Sequence, residues 1–251
     1  MSERLGTLIV TGGSRGIGAA VSRMAAARGY AVAVNYQRDQ ASANAVVEEV
    51  QQKGGRAAAI QGDVAVERDV LRLFETAEKS LGTLSALVNN AGITGGFARV
   101  DSVEAAMLER LLAVNVTGAI LCAREAVRRL STKHGGSGGA IVNISSRAAQ
   151  LGSAGEWVHY AASKAALDAL TIGLGREVAA EGIRVNAVAP GLVDTDIHRA
   201  NGDPGRLARL MPTIPMGRAG KAEEIAEAVV WLLSPAASFV TATILNVGGG
   251  R

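Results

Sequence analysis

An alternation between two kinds of segment constrains this chain more than any other feature. Short, nearly continuous apolar runs, most of them rich in Val and Ile, recur at 8–10, 31–34, 57–60, 86–88, 140–144, 184–188 and 243–247. Between them lie longer stretches with helical spacing, at 16–28, 40–53, 67–80, 103–130, 157–181 and 222–233. A strand with one wet face alternates apolar and polar residues, whereas an unbroken apolar run belongs to a strand covered on both faces. Gly29, Gly54, Gly82 and Gly182 follow helical stretches at the point where a C-terminus takes up a left-handed residue. The pattern predicts an α/β fold: a doubly wound, Rossmann-type parallel sheet of about seven strands, with helices on both faces and right-handed crossovers. No linker divides it, so one dinucleotide-binding and catalytic domain is expected over 1–251. The most loop-like pieces are 131–139 and the proline-bearing segment 192–217, which reads either as a lid over a site or as a long surface excursion.

Composition narrows the function classes. Cys122 is the only cysteine, so an internal disulfide and a cysteine-built zinc cage are excluded. His134, His159 and His198 are too scattered to suggest a metal, and His159 reads as structural. The net charge of +3 comes from Lys and Arg interleaved with acids, and aromatics make up only 3% of the chain, which argues against nucleic acid. The start, Met1 to Leu5, lacks the layout of a signal peptide, and no uninterrupted apolar run reaches the roughly 18–20 residues that span a bilayer. The expectation is a cytoplasmic protein without a membrane partner, acting on a small molecule.

The first strand runs into Thr11-Gly12-Gly13-Ser14-Arg15-Gly16-Ile17-Gly18 and then a helix. Glycines at such a turn let backbone N–H groups approach a pyrophosphate, and the positive helix end faces it. Gly12, Ser14, Arg15, Gly16, Ile17 and Gly18 are therefore candidate cofactor residues. The spacing is Gly-x-x-x-Gly-x-Gly, and a tight turn alone would also account for it. An NAD site usually carries an acid after the second strand for the ribose 2′-hydroxyl. Here Asn35-Tyr36-Gln37-Arg38 stands there, with no acid until Asp39. Arg15 and Arg38 could grip a 2′-phosphate, which favours NADP (NADPH) over NAD, or they could be ordinary surface arginines.

Tyr160-Ala161-Ala162-Ser163-Lys164 opens a long helical stretch. Residues four apart share a helix face, so the phenol and the amine can converge on one ligand. Such a pair is common by chance, but this one follows a buried-looking strand ending in Ser145-Ser146, in a chain with a dinucleotide-like opening.

With these motifs the chain resembles the short-chain dehydrogenase/reductase family over nearly its whole length. The motifs are the glycine loop, Asp63-Val64, Asn89-Asn90-Ala91-Gly92, Asn115, Ser146, Tyr160, Lys164, Pro190-Gly191, Thr195 and a glycine-rich ending. It is similar to the glucose 1-dehydrogenase-like and 3-oxoacyl-carrier-protein reductase members. The resemblance implies that Tyr160 is the general acid/base; base chemistry at neutral pH requires its pKa of about 10 to fall by roughly 3 units, with help from the neighbouring Lys164 cation and the positive nicotinamide of the oxidised cofactor. It implies that Lys164 also holds the nicotinamide ribose, that Ser146 stabilises the substrate oxygen, and that Asn115 positions a water behind the lysine. Asp63 and Val64 would border the adenine, and Asn90, Ala91 and Gly92 the ribose. Pro190, Gly191, Val193 and Thr195 would surround the nicotinamide.

The departures from the family pattern are few. Ser146 lies 14 positions before Tyr160, one more than in many relatives, so 147–159 reads as carrying an insertion that brings Glu156 and Trp157 to the pocket mouth. Ala242 stands where relatives generally have glycine, and Ser145 is the lesser candidate for the catalytic serine. The expected activity is NADP-dependent hydride transfer with a secondary alcohol or ketone, such as a sugar or another small polar carbonyl compound. The alternatives are reduction of 3-oxoacyl groups on an acyl carrier protein, docked on Arg128, Arg129 and Arg176, and a non-catalytic NADP-binding sensor. The family also implies a homotetramer, with the stretches 103–130 and 157–181 pairing the subunits.

Overall fold

The computed structural model describes residues 5–195 and 205–251, so His198 and the middle of the proline-bearing segment lie outside the described residues. Seven strands form one sheet in the order β3-β2-β1-β4-β5-β6-β7. They are β1 (Thr7–Val10), β2 (Ala31–Tyr36), β3 (Arg56–Gln61), β4 (Leu84–Asn89), β5 (Gly139–Ile144), β6 (Ile183–Pro190) and β7 (Ile244–Val247). Every pairing is parallel. The helices are α1 (Gly16–Ala27), α2 (Gln40–Gln52), α3 (Glu67–Leu81), α4 (Ala105–Leu112), α5 (Gly118–Leu130), α6 (Ala148–Leu151), α7 (Val158–Glu177), α8 (Arg206–Leu210) and α9 (Ala222–Leu233).

The continuous apolar runs exist because successive strand residues enter two different cores. Leu8 and Val10 pack with Val32, Val34, Val88 and Val142 under α1, α2 and α9. Ile9, between them, packs on the opposite face with Ala33, Leu87, Ile141 and Val185, under α3 and α5. The order of strands reverses between β1 and β4, so the chain departs in opposite directions there and a cleft opens beyond the carboxyl ends.

Two local features were not expected. The helical stretch 103–130 is divided: α4 runs into a π-turn at Ala113–Thr117, which holds Asn115, and then into α5. Taken together, Ala105–Leu130 is long and apolar enough, at mean hydropathy 1.5, to cross a membrane by length and composition. Its Val114, Cys122, Ala126 and Leu130 instead pack onto the sheet. Of Arg128, Arg129 and Arg176, offered as a docking platform in the alternative reading, the two on α5 are paired with acids. Arg128 pairs with Glu125 at 2.9 Å, and Arg129 pairs with Glu125 at 2.7 Å and with Glu78 at 2.9 Å.

Ala242 shows why a glycine is usual at its position. Its φ is +57°, in the left-handed region that costs a side-chain-bearing residue roughly 1 kcal/mol. Gly175 on α7 packs directly beneath, where an added Cβ would lie 2.9 Å from the Ala242 Cα and N. Ala242→Gly is expected to raise the thermal unfolding midpoint by about 2–4 °C for relief of about 1 kcal/mol. Gly175→Ala is expected to lower it, both read by calorimetry or circular dichroism.

Candidate active site

Segments that follow six strands line one cavity of about 780 Å³. From one end to the other these include Gly12, Ser14, Arg15, Gly16 and Ile17 after β1, Arg38 after β2, and Asp63 and Val64 after β3. Asn90, Ala91 and Gly92 follow β4, Ser146 follows β5, Gly191, Val193 and Thr195 follow β6 together with its last residue Pro190, and Tyr160 and Lys164 enter from α7. Of the residues singled out from the sequence, Gly18 and Asn115 do not line it.

Gly18 works from below. A Cβ there would meet the Gly12 carbonyl oxygen at 2.3 Å and the Asn90 Nδ2 at 2.5 Å, so only glycine lets α1 start this close to the loop. Gly12 and Gly16 hold positive φ, +60° and +50°. The loop is then tied on both sides. Asn35 accepts from the Gly12 N–H at 3.2 Å, and the Asn90 side chain donates to the Thr11 and Gly12 carbonyls at 2.9 Å each. Asn35 was read only as an absence of acid, and its role in holding the loop has no local sequence signal.

At the same end, Asp39 is the first acid after β2, but it caps α2. Its carboxylate accepts from the Ser42 N–H at 3.0 Å and the Ser42 hydroxyl at 2.7 Å. Those bonds, the backbone one foremost, hold its carboxyl below the usual range. Arg15 and Arg38 are exposed; Arg15 Nε lies 4.0 Å from Asp39, and Arg38 makes no ion pair among the described residues. Asp63 is bound by Gln37 and by Arg110, each at 2.8 Å.

At the other end, α7 presents Tyr160 and Lys164 on one face, with the lysine Nζ 5.6 Å from the phenol ring centroid. Lys164 is buried and donates to the Ile144 carbonyl at 2.7 Å. Gly92 brings the second line of residues in: a Cβ on it would sit 3.4 Å from both Lys164 Nζ and Asn115 Oδ1. The Asn115 side chain accepts from the Ile93 N–H at 2.8 Å and donates to the Ile93 carbonyl at 2.8 Å and the Ser163 hydroxyl at 3.0 Å. Its side chain therefore holds the loop after β4. Ser146 reaches the Tyr160 hydroxyl, whereas Ser145 is buried and donates to the Lys164 carbonyl at 3.3 Å.

The electrostatics of these groups are set first by burial. Burial pushes the Tyr160 phenol up to about 12, against lowering by the Ser146 hydrogen bond and the Arg206 charge. Burial also brings Lys164 down to about 8, opposed by Asp168. Proximity to Lys164 does not by itself make this phenol acidic, because the desolvation that surrounds both groups outweighs it.

Beyond Tyr160 the wall is aromatic. Trp157 meets Tyr160 edge-on at 5.8 Å and stacks on Phe97 at 4.8 Å. Glu156 and Trp157 line the cavity, as the insertion suggested, with α6 in the same loop. Phe97 and Arg206 went unnoticed in the sequence; a lone aromatic after Gly95-Gly96, in a chain so poor in aromatics, was the available signal. His159 is buried with Nε2 3.0 Å from the Thr94 carbonyl, and burial pushes the Cys122 thiol up to about 12. Among the described residues no group of three or more His, Cys, Asp or Glu is placed to hold a metal ion.

The residues fit a nicotinamide dinucleotide: a glycine cradle that tolerates no Cβ at Gly18, cations beyond β2, and one continuous cavity leading to Tyr160 and Lys164. A family model described as enoyl-(acyl carrier protein) reductase matches residues 12–251. The chain is 51% identical over 243 residues to an uncharacterized oxidoreductase, YgfF, of Escherichia coli, covering 97% of this chain and 98% of that one. It is 36% identical to glucose 1-dehydrogenase 2 of Bacillus subtilis, over 97% and 93% of the two chains. A solved short-chain dehydrogenase from Burkholderia cenocepacia in complex with NADP superposes with a TM-score of 0.90, at 35% identity, covering 100% of this chain and 99% of the other. The glycine-bound cleft and the tyrosine–lysine pair at its far end are thus those of an oxidoreductase acting on alcohol or keto groups, and the chain belongs to the short-chain dehydrogenase/reductase family.

Proposed function

We propose that the protein is an NADP-dependent oxidoreductase that interconverts a secondary alcohol and a ketone of a small polar molecule. The carrying observation is the cavity that joins the exposed Arg15 and Arg38 at one end to Tyr160, Lys164 and Ser146 at the other. A bound nicotinamide supplies the hydride donor or acceptor. The chain supplies the rest. Tyr160 gives its phenolic proton to the carbonyl oxygen in reduction and takes the hydroxyl proton in oxidation. Ser146, beside that hydroxyl, donates to the same substrate oxygen and stabilises charge developing there. Lys164, fixed by the Ile144 carbonyl, holds the ribose hydroxyls, and Asn115 acts behind it in the proton path. Gly12, Ser14, Arg15, Gly16, Ile17 and Gly18 cradle the pyrophosphate, Asp63 and Val64 border the adenine, and Asn90, Ala91 and Gly92 the ribose. Pro190, Gly191, Val193 and Thr195 surround the nicotinamide, and the segment 192–217 serves as the lid of this one unit.

Arg15 and Arg38 would take the 2′-phosphate, since the nearest acid that could bind a ribose diol, Asp39, is engaged in capping α2. The 3-oxoacyl-carrier-protein reading is disfavoured by the pairing of Arg128 and Arg129 with Glu125 and Glu78. We also assign a homotetramer, whose subunits pair through α4, α5 and α7. Leu112, Ile120 and Val158 expose apolar surface there.

In an assay panel of sugars, cyclic and linear ketones and an acyl thioester followed by NADPH absorbance, Tyr160→Phe is expected to lower kcat by on the order of a hundred- to ten-thousandfold while NADPH binding survives. Unchanged turnover would reject the acid/base assignment. Arg38→Asp is expected to weaken NADPH binding about ten- to a hundredfold and NADH binding little, measured by cofactor fluorescence. Equal losses for both would remove the NADP preference. Light scattering on a size-exclusion column checks the tetramer, and a monomer mass would contradict it.

A further inference from the structure

The most heavily used side chain at the substrate end belongs to none of the family's motifs quoted above. Arg206 opens α8, and its side chain is 7% exposed. Its Nη2 and Nε contact Glu156 Oε2 at 2.8 and 3.1 Å. Its guanidinium carbon lies 4.1 Å from the Trp157 ring centroid and 6.0 Å from that of Phe97. Trp157 in turn stands edge-on to Tyr160, and Arg206 and Tyr160 line the same cavity. Glu156 is itself anchored, its carbonyl accepting from the Ala98 N–H at 3.0 Å and its second oxygen contacting Arg209 at 3.2 Å. Three segments, the loop after β4, the insertion before α7, and α8, thus meet on one buried cation.

We propose that Arg206 is a positioning residue for the reaction: a fixed cation, seated on Trp157 by Glu156, that acts through Tyr160 by favouring its phenolate. This rests on the reading of Tyr160 as the acid/base. A guanidinium keeps its charge at any working pH and is weakly hydrated, so stacking on an indole is a cheap way to bury it. Buried charges are screened little by salt, and a cation beside a phenol favours the ionised form. The direction agrees with the lowering that Arg206 exerts on Tyr160 against burial.

The other charged groups around Tyr160 do not duplicate it. On α7, Lys164 points to the Ile144 carbonyl, Asp168 lies a turn further on, and His159 turns to the Thr94 carbonyl. In the loop after β5, Arg147 donates to the Arg251 carbonyl at 2.6 Å, and Arg251 lines the cavity from the end of the chain. Arg99 and Asp101, after β4, are paired with each other on the surface. The carboxylate of Glu156, on this side, is bound to Arg206 and Arg209.

The chain has only three tyrosines, Tyr30, Tyr36 and Tyr160, so the phenol can be followed directly. With tyrosine labelled by carbon-13 at Cζ and saturating oxidised dinucleotide present, the resonance absent from Tyr160→Phe reports the Tyr160 midpoint. Arg206→Gln is expected to raise that midpoint by about one pH unit, equivalent to about tenfold less phenolate at a pH below it. Arg206→Lys is expected to restore most of it, and the Tyr30 and Tyr36 resonances to stay in place. Should the glutamine variant fail to fold, Arg206→Met keeps the stem and repeats the measurement. The same midpoint in wild type and Arg206→Gln, or a lysine variant shifted as far as the glutamine one, would overturn the proposal. Full turnover by Tyr160→Phe would instead strike the acid/base reading on which the proposal stands, so the two failures are told apart.

Discussion

The whole site depends on how closely two backbones approach beneath the cofactor loop. Gly18, in the first turn of α1, lies so near the Gly12 carbonyl and the Asn90 amide that a single methyl group would not fit. The absence of that methyl lets the Asn90 side chain reach two carbonyls of the loop, while Thr11 Oγ1 accepts from the N–H groups of Asn90 and Ala91 at 2.9 and 3.0 Å. The turn after β1 and the turn after β4 therefore form one hydrogen-bonded knot at the point where the strand order reverses. Because the Ile93 N–H and carbonyl are held by Asn115, the same knot extends through Gly92 to Lys164. The proposed cofactor cradle and reacting groups are thus joined through one hydrogen-bonded backbone arrangement, which suits hydride transfer over a short, fixed distance.

Charge is distributed along the cavity according to what water permits. At the β2 end Arg15 and Arg38 are exposed, where screening leaves them short-ranged and selective by geometry. At the α7 end Lys164 and Arg206 are buried, where charge is little screened by salt but desolvation works against it. Among the described residues, the acidic side chains that line the cavity, Asp39, Asp63 and Glu156, are each committed, to a helix cap, to Arg110 and Gln37, and to Arg206. The cavity consequently presents cations at both ends and, among the described residues, no unengaged acidic side chain, a setting suited to an anionic dinucleotide and to an oxyanion forming on a substrate.

What could be read from the sequence was whatever physics expresses locally. Unbroken Val and Ile runs report two-faced burial, because Ile9 and Leu8 enter different cores, and the sheet follows from that. The four-residue spacing of Tyr160 and Lys164 reports a shared helix face, and the missing acid after β2 is the local sign behind the proposed NADP preference. The rest depends on partners distant in the chain or on backbone geometry. Arg206 and Glu156 form their pair across a long separation, and nothing near either residue announces it. The π-turn at Ala113–Thr117 keeps helical composition while altering the hydrogen-bond ladder, and such turns recur at functional sites. Ala242 was noticeable as a replaced glycine, but its positive φ became visible only with the fold. The burial of Tyr160 is likewise visible only in the fold, because a sequence shows a neighbouring lysine and does not show desolvation.

That desolvation bears on how the site divides its work. A phenol held up to about 12 is a stable proton carrier, ready to protonate a carbonyl oxygen, and the burial responsible also brings Lys164 down to about 8. The same water exclusion thus favours the neutral form of both groups, while Arg206 and the Ser146 hydroxyl pull Tyr160 the other way. In the proposed mechanism, reduction would use the phenol as it stands, whereas oxidation would need a phenolate and so would draw on the positive charges around it. A tyrosine set between strong desolvation and a fixed cation can serve in both directions, with the balance decided by the charge on the nicotinamide ring when it is bound.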